Sequence, residues 1–319
     1  MKQALLFVTL LLFIACQNNT DRKKRIHTKQ SLQSPVTANN IGYADTFNTA
    51  DIDGNFISNQ NNITATPGGG LTICSWNLWD FGKTKSDAEI EFIANTIKDY
   101  DIVLIQEVVA KDPGGAEAVS RLADVLNRMG AKWDYALSNQ TFSSAYKAER
   151  YAFIWRTSSV KKIGEAWLEE KYKMEIDREP YYVTFMVADK LFTLANFHAI
   201  TKSKQPETEV KYFKFLPDTY PDLNLIFCGD FNLPQSHTVF NPLKKMGYQP
   251  ALTGQKTSLK QECIDDDCLA SEFDNFFFNS SKITKLSSGV IHFYKLFPNL
   301  KEARKISDHI PIVFKFTLK

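Results

Sequence analysis

The chain repeatedly sets single acids, amides and imidazoles at the ends of apolar strands, and that habit constrains it more than any figure for composition. Asn77 follows an apolar run that opens at Leu71, and Gln106-Glu107 follows DIVLI. Glu149-Arg150 precedes YAFIW, Asn196 and His198 close LFTLANFH, and Asp230 and Asn232 follow LIFCG. Asp274 lies at the head of FDNFFF, and Asp308-His309 precedes IPIVF. One such residue alone is a cap, a turn residue or a satisfied buried group. Their recurrence is another matter. Strand ends in a layered fold can converge on one surface, and burying carboxylates with imidazoles is costly unless a shared task offsets it.

Hydrophobic periodicity places strands at 71–78, 101–108, 150–156, 181–188, 191–198, 223–227, 273–278 and 310–316. Ser86-Asp87-Ala88-Glu89 is a capping box, and Ile90, Ile93, Ala94 and Ile97 continue it as a helical stripe. Further helices are expected over 116–129, 207–216 and 236–246. Strands outnumber helices and many connections are hairpin-length, so the pattern predicts an α+β fold with mixed or antiparallel sheets, not alternating βαβ units. Neither an internal sequence repeat nor a phosphate-cradling glycine-rich loop is present.

The amino-terminal part reads differently. One positive charge, at Lys2, precedes an apolar run over 4–14 that is interrupted only by Thr9, and Ala15-Cys16 follows. A spanning helix needs about 20 apolar residues, so the run fits a secretory leader. A small residue followed by cysteine resembles the end of a bacterial lipobox, which predicts lipidation at Cys16, although Phe13 stands where leucine is usual. Plain secretion with an incidental cysteine is the alternative. Residues 17–70 are polar and aperiodic and read as a tether, and residues 71–319 form one folded domain. Of 38 basic and 36 acidic residues, six and four respectively fall in 1–70, so the folded part carries 32 of each. That balance offers no basic field for a polyanion.

The polar set itself narrows the chemistry. Carboxylates and amides without cysteine suit a hard cation, Mg²⁺ or Ca²⁺, before zinc. Two imidazoles with separate carboxylates allow one oriented acid and one oriented base. No G-x-S-x-G nucleophile motif occurs, so attack by water on a phosphorus ester is more natural than acyl transfer.

Taken in order, SWNLW, IQEV, ERYAFIW, NFHA, GDFN, FDNFFF and ISDHIP resemble the motifs of the endonuclease/exonuclease/phosphatase superfamily, and the segment from Tyr146 to Tyr151 leans to its deoxyribonuclease I branch. The resemblance implies a four-layered α/β sandwich of two packed sheets flanked by helices. It implies Glu107 as principal ligand of Mg²⁺ (Mn²⁺ and Ca²⁺ being alternatives), assisted by Asn77 and Asp308. His198 would be held by Glu149 and His309 by Asp274, one imidazole deprotonating water while the other protonates the leaving 3′-oxygen. Asp230 would position metal or water, and Asn232 would bond the phosphoryl oxygens as charge grows. Tyr146 and Arg150 are candidate substrate contacts, with a salt-bridged strand residue the other reading of Arg150. Val109 stands where the branch can carry a DNA-contacting arginine, and one extra residue at Ala148 shifts Tyr146 relative to Glu149. Both departures bear on DNA more than on phosphodiester hydrolysis.

The implied protein is thus an exported, membrane-anchored bacterial lipoprotein of the periplasm or cell surface, a monomer, acting on nucleic acid with DNA favoured. A phosphatase, or a sphingomyelin or phosphoinositide esterase, uses the same residue set, and a binding lipoprotein with a decayed site is the non-enzymatic alternative. Cys263 and Cys268 flank a short acidic loop and are expected to form a disulfide in an exported chain. Cys74 and Cys228 are expected in the core, and His237 and His292 at surface or packing positions.

Overall fold

The computed structural model describes residues 69–111, 113–143 and 148–319, all within the unit that runs from Phe56 to Lys319. The leader with Cys16, the tether through residue 68, and Tyr146 lie outside the described residues.

The chain begins with β1 (Leu71–Phe81), α1 (Asp87–Ile97), β2 (Ile102–Val109), α2 (Gly114–Arg128), β3 (Trp133–Leu137) and β4 (Glu149–Arg156). It continues through β5 (Lys161–Leu168), β6 (Tyr181–Val187) and β7 (Lys190–His198), then the short helices α3 (Glu207–Val210) and α4 (Leu216–Thr219), to β8 (Leu225–Asp230). After α5 (Asn241–Lys245) and β9 (Tyr248–Pro250) come a small hairpin, β10 (Leu259–Ile264) and β11 (Asp267–Leu269), and then β12 (Asp274–Asn279). The chain closes with β13 (Ile283–Val290), α6 (Leu300–Ile306) and β14 (Ile312–Leu318).

Two six-stranded mixed sheets result, ordered β13-β14-β1-β2-β4-β3 and β5-β6-β7-β8-β12-β9. This is the α+β fold of packed sheets flanked by helices that the motifs implied. Each sheet is built around one parallel pair, β1 with β2 and β7 with β8, flanked by antiparallel strands. The central strands have both faces covered, which is why they read as continuous apolar runs. Aromatic pairs fill the space between the sheets: ring centroids lie 5.7 Å apart for Phe153 and Tyr181, 5.8 Å for Phe192 and Phe316, and 5.6 Å for Phe276 and Phe314. A second cluster, including Phe213, Phe227, Phe231, Phe240 and Phe277, is buried with residues of α3, α4 and α5.

Local chemistry sets the helix ends. The Ser86 side chain accepts from the Glu89 amide and the Glu89 carboxylate accepts from the Ser86 amide, completing the expected capping box. The helix expected over 207–216 is instead broken into α3, a 3₁₀ turn and α4, with Pro217 in the first turn of α4. Proline fits there because a first-turn amide has no intrahelical acceptor. The helix expected over 236–246 likewise divides into a 3₁₀ turn and α5. Cys74 and Cys228 are buried free thiols, as expected.

The arrangement brings the polar strand ends together. A parallel pair contributes two carboxyl-terminal ends to one sheet edge, and its antiparallel neighbours contribute amino-terminal ends to that same edge. Asn77 and Glu107 therefore meet the start of β4, and His198 and Asp230 meet the start of β12, where Asp274 pairs with Asp230. Gly229 permits the second convergence. It sits at φ +125°, and a Cβ on it would lie 2.0 Å from the Phe197 carbonyl oxygen, so only glycine lets β8 approach β7 there.

Candidate active site

In the first sheet the ladder breaks where the polar residues stand, whereas β7, β8 and β12 keep their register through His198, Asp230 and Asp274. Pairing between β1 and β2 jumps from Asn77↔Gln106 to Phe81↔Val108, with Trp79 and Asp80 at φ +33° and +49° between them. Glu107 sits at φ +59° in the corresponding irregularity of β2, and Asn232 at φ +51° just beyond β8. Such backbone costs on the order of 1–3 kcal/mol per residue and persists where its surroundings hold it. Here it turns the side chains of Glu107 and Asn77 toward one place.

Two buried imidazoles face that place. Glu149 bonds His198 Nδ1 at 3.1 and 3.0 Å through its two oxygens, and Asp274 bonds His309 Nδ1 at 2.7 Å. Because each Nδ1 is held, each Nε2 is directed inward. Both reach the same atom, Asp230 Oδ2, at 3.4 Å from His198 and 3.6 Å from His309. Burial and Arg178 would lower the His198 pKa, but Glu149 and Asp230 outweigh them and raise it. Burial alone would also lower that of His309; Asp274 and Asp230 lift it well above the usual histidine range.

Glu107, Asn77 and Asp230 complete the centre. Asn77 Nδ2 donates to Glu107 Oε1 at 3.0 Å and to Asp230 Oδ2 at 3.4 Å, and Glu107 Oε1 lies 3.8 Å from His198 Nε2. Burial and the charge of Glu149 raise the Glu107 pKa, against the opposing pull of His198 and the Asn77 bond. Among the described residues, Asp230, Asp274 and His309 offer ligand atoms within 4.8 Å of one another, and the Glu107 and Asp230 carboxylates both accept from Asn77 Nδ2.

Supporting groups emerge that sequence reading passed over. Arg178, in the loop before β6, donates through one terminal nitrogen to Glu149 Oε2 at 3.0 Å and through the other to the Ala199 carbonyl. Thr257 Oγ1 donates to Asp274 Oδ2 at 2.6 Å and accepts from the Asp274 amide at 3.0 Å. Neither lies at a patterned strand end, so no periodic signal marks it. Beneath the centre, Gln106 Nε2 bridges Ser75 Oγ at 3.0 Å and Asn196 Oδ1 at 2.6 Å, tying the two sheets together.

The remaining expected residues fall in distinct places. Asn232 Nδ2 donates to the Ala199 carbonyl at 3.0 Å, and the Asn232 amide donates to Asp230 Oδ1 at 2.8 Å. Asp308 accepts from Arg304 of α6 at 3.3 Å, while Arg150 donates to the Ser138 carbonyl at 2.9 Å. Neither bond reaches Glu107 or the imidazoles. Cys263 and Cys268 are joined in a disulfide across the β10–β11 hairpin. His237 caps the turn before α5, and His292 is half-buried beside Tyr294. A cleft of about 420 Å³ opens beside Glu107 and Glu149, lined also by Asp80, Arg178, Lys111 and Lys204.

Residues 74–309 match the model of the Endonuclease/Exonuclease/phosphatase family. The chain belongs to that family. A deoxyribonuclease of Thioalkalivibrio sp. is 26% identical over 270 residues, spanning 77% of this chain and 71% of the relative. Deoxyribonuclease gamma of Rattus norvegicus is 27% identical over 273 residues, spanning 77% and 84%. Among solved structures, a mannosyl-6-phosphatase of Bacteroides thetaiotaomicron superposes with a TM-score of 0.57 at 18% identity, over 77% of this chain and 99% of that one. At that identity the likeness concerns the fold.

Proposed function

We propose that this member of the endonuclease/exonuclease/phosphatase family is a metal-dependent phosphodiester hydrolase that cleaves DNA. The observation carrying the reading is the pair of buried imidazoles, each fixed through Nδ1 by its own carboxylate and each turning Nε2 to a common point beside Glu107. Hydrolysis of a phosphodiester needs a proton taken from water on one side of phosphorus and given to the leaving 3′-oxygen on the other. Two inward Nε2 atoms are placed for those two transfers. Asp230 orients the groups between them, and Arg178, whose Nε has no partner among the described residues, supplies a buried donor to phosphoryl oxygens.

Glu107 and Asn77 are the residues that would hold the cation. A carboxylate and an amide oxygen suit Mg²⁺ better than does the grouping of Asp230, Asp274 and His309, which includes an imidazole. When bound, the cation would neutralise charge on the phosphoryl group and acidify an adjacent water. The two similar deoxyribonucleases favour DNA as the substrate. Export with a lipid anchor at Cys16 belongs to the same reading, and absence of a Cys16-dependent palmitate label would remove the anchor.

The purified protein is expected to nick plasmid DNA with Mg²⁺ and to lose that activity in EDTA. Cleavage of bis-p-nitrophenyl phosphate without cleavage of DNA would replace the nuclease reading with a phosphatase or lipid-esterase one.

A further inference from the structure

Of the five tryptophans, Trp76, Trp133 and Trp155 are buried, and Trp167 stacks on Tyr182 with ring centroids 5.0 Å apart. Trp79 is 42% exposed and has no ring partner among the described residues. It also sits at φ +33°, a conformation a bulky side chain rarely adopts. One residue therefore combines strained backbone with an open indole, and neither adds to the core.

Its position gives the combination a use. The Trp79 amide donates to Asn77 Oδ1 at 3.1 Å, and the next amide, of Asp80, donates to Glu107 Oε2 at 3.3 Å. The bulge carrying the indole is thus pinned to both proposed metal-holding residues, and Asp80 lines the cleft. The domain has no net charge to hold a polyanion, and the acids lining the cleft offset Lys111, Lys204 and Arg178. Stacking on an aromatic face grips a nucleotide without such a field, because every base has a π-face.

We propose that Trp79 forms a nucleobase subsite, on which an unpaired base flanking the scissile phosphate stacks. The proposal rests on the nuclease reading above and specifies the form of nucleic acid. Within a duplex both faces of each internal base are already stacked on neighbours, so the indole finds its partner in single strands, gaps and frayed ends. Trp79 then makes the enzyme favour unpaired over smooth double-stranded substrate.

The test uses the full protein with Mg²⁺ and two single-stranded oligonucleotides, one bearing bases throughout and one with tetrahydrofuran abasic residues flanking the cleavage position. Wild type is expected to prefer the base-bearing strand by about ten-fold in kcat/KM, the scale of one stacking contact. Trp79→Phe should keep most of that preference, and Trp79→Ala should bring the ratio close to one through KM. A ratio unchanged in Trp79→Ala overturns the subsite, and so does an equal fall on both strands, which would mark a structural role. A wild type that cleaves neither strand nor plasmid DNA overturns the nuclease reading together with the subsite; cleavage with an unchanged ratio overturns the subsite alone.

Discussion

The two imidazole–carboxylate pairs follow one plan in different surroundings. Glu149 stands in front of a buried guanidinium, Arg178 at 3.0 Å, whereas Asp274 is backed by a hydroxyl, Thr257 at 2.6 Å. Burial pushes the Glu149 carboxyl up, but His198 and then the guanidinium outweigh it and hold Glu149 below the usual carboxylate range. The guanidinium also opposes a proton on His198. Among the described residues no such cation stands behind Asp274, and with Asp274 and Asp230 beside it His309 keeps its proton more tightly. A catalytic acid and a catalytic base need different proton affinities, and changing what lies behind the carboxylate separates two otherwise similar imidazoles.

The largest effect is expected on turnover. His198→Ala and His309→Ala should each lower kcat about 10²–10⁴-fold on DNA with Mg²⁺. If the imidazoles act as one unit, the double variant should lose little more than the worse single. Near-wild-type turnover in either single variant would remove that imidazole from the reaction.

Next comes stability, where the two pairs should part. Glu149→Gln leaves Arg178 buried without its counter-charge and should cost about 3–5 kcal/mol in urea unfolding. Asp274→Asn removes the counter-charge of His309, but an imidazole, unlike a guanidinium, can release its proton, so the change should cost about 1–3 kcal/mol. Equal losses would mean that Arg178 does not distinguish the pairs.

The pH dependence is smaller but directional. Folding raises the His309 pKa, so the folded state binds that proton more tightly than the unfolded chain does. The resulting stability is complete below about pH 6.5 and vanishes as pH climbs through the raised value. The urea midpoint gap between wild type and His309→Gln should accordingly narrow toward alkaline pH, and a widening gap would contradict the arrangement. Thr257→Val should have the smallest effect, about 1 kcal/mol of stability and a modest fall in kcat. A loss as large as that of Asp274→Asn would make the hydroxyl, not the carboxylate, the main support of His309.

The sheets show where sequence reading works. Strands with neighbours on both sides, such as β2 with IVLI and β8 with LIFC, are covered on both faces and display an unbroken apolar run. The strands left out of the sequence reading are β3, β5, β9 and β13, which lie at the sheet edges, and the β10–β11 hairpin. β5, with Lys161, Lys162 and Glu165, and β13, with Lys285, Ser287 and Ser288, are largely open to solvent. Polar residues at an edge suit its need to resist pairing with other chains, and they also erase the periodic signal. The site divides in the same way. The histidines and their carboxylates stand out as polar residues closing or opening apolar strands, while Arg178 and Thr257 sit in loops where a polar residue is unremarkable.

By itself, then, the sequence determined the buried strands and the residue types at their ends, because continuous apolar runs and abrupt polar stops are local properties. Only the tertiary structure decided that these ends meet. Asp230 receives His198 from its parallel neighbour β7 and His309 from the residue run before β14, partners 32 and 79 positions away along the chain. The contact depends on strand direction within each sheet, on the face-to-face packing of the sheets, and on strained backbone at Glu107 and Asn232. Those are relations between segments, and no one segment carries them.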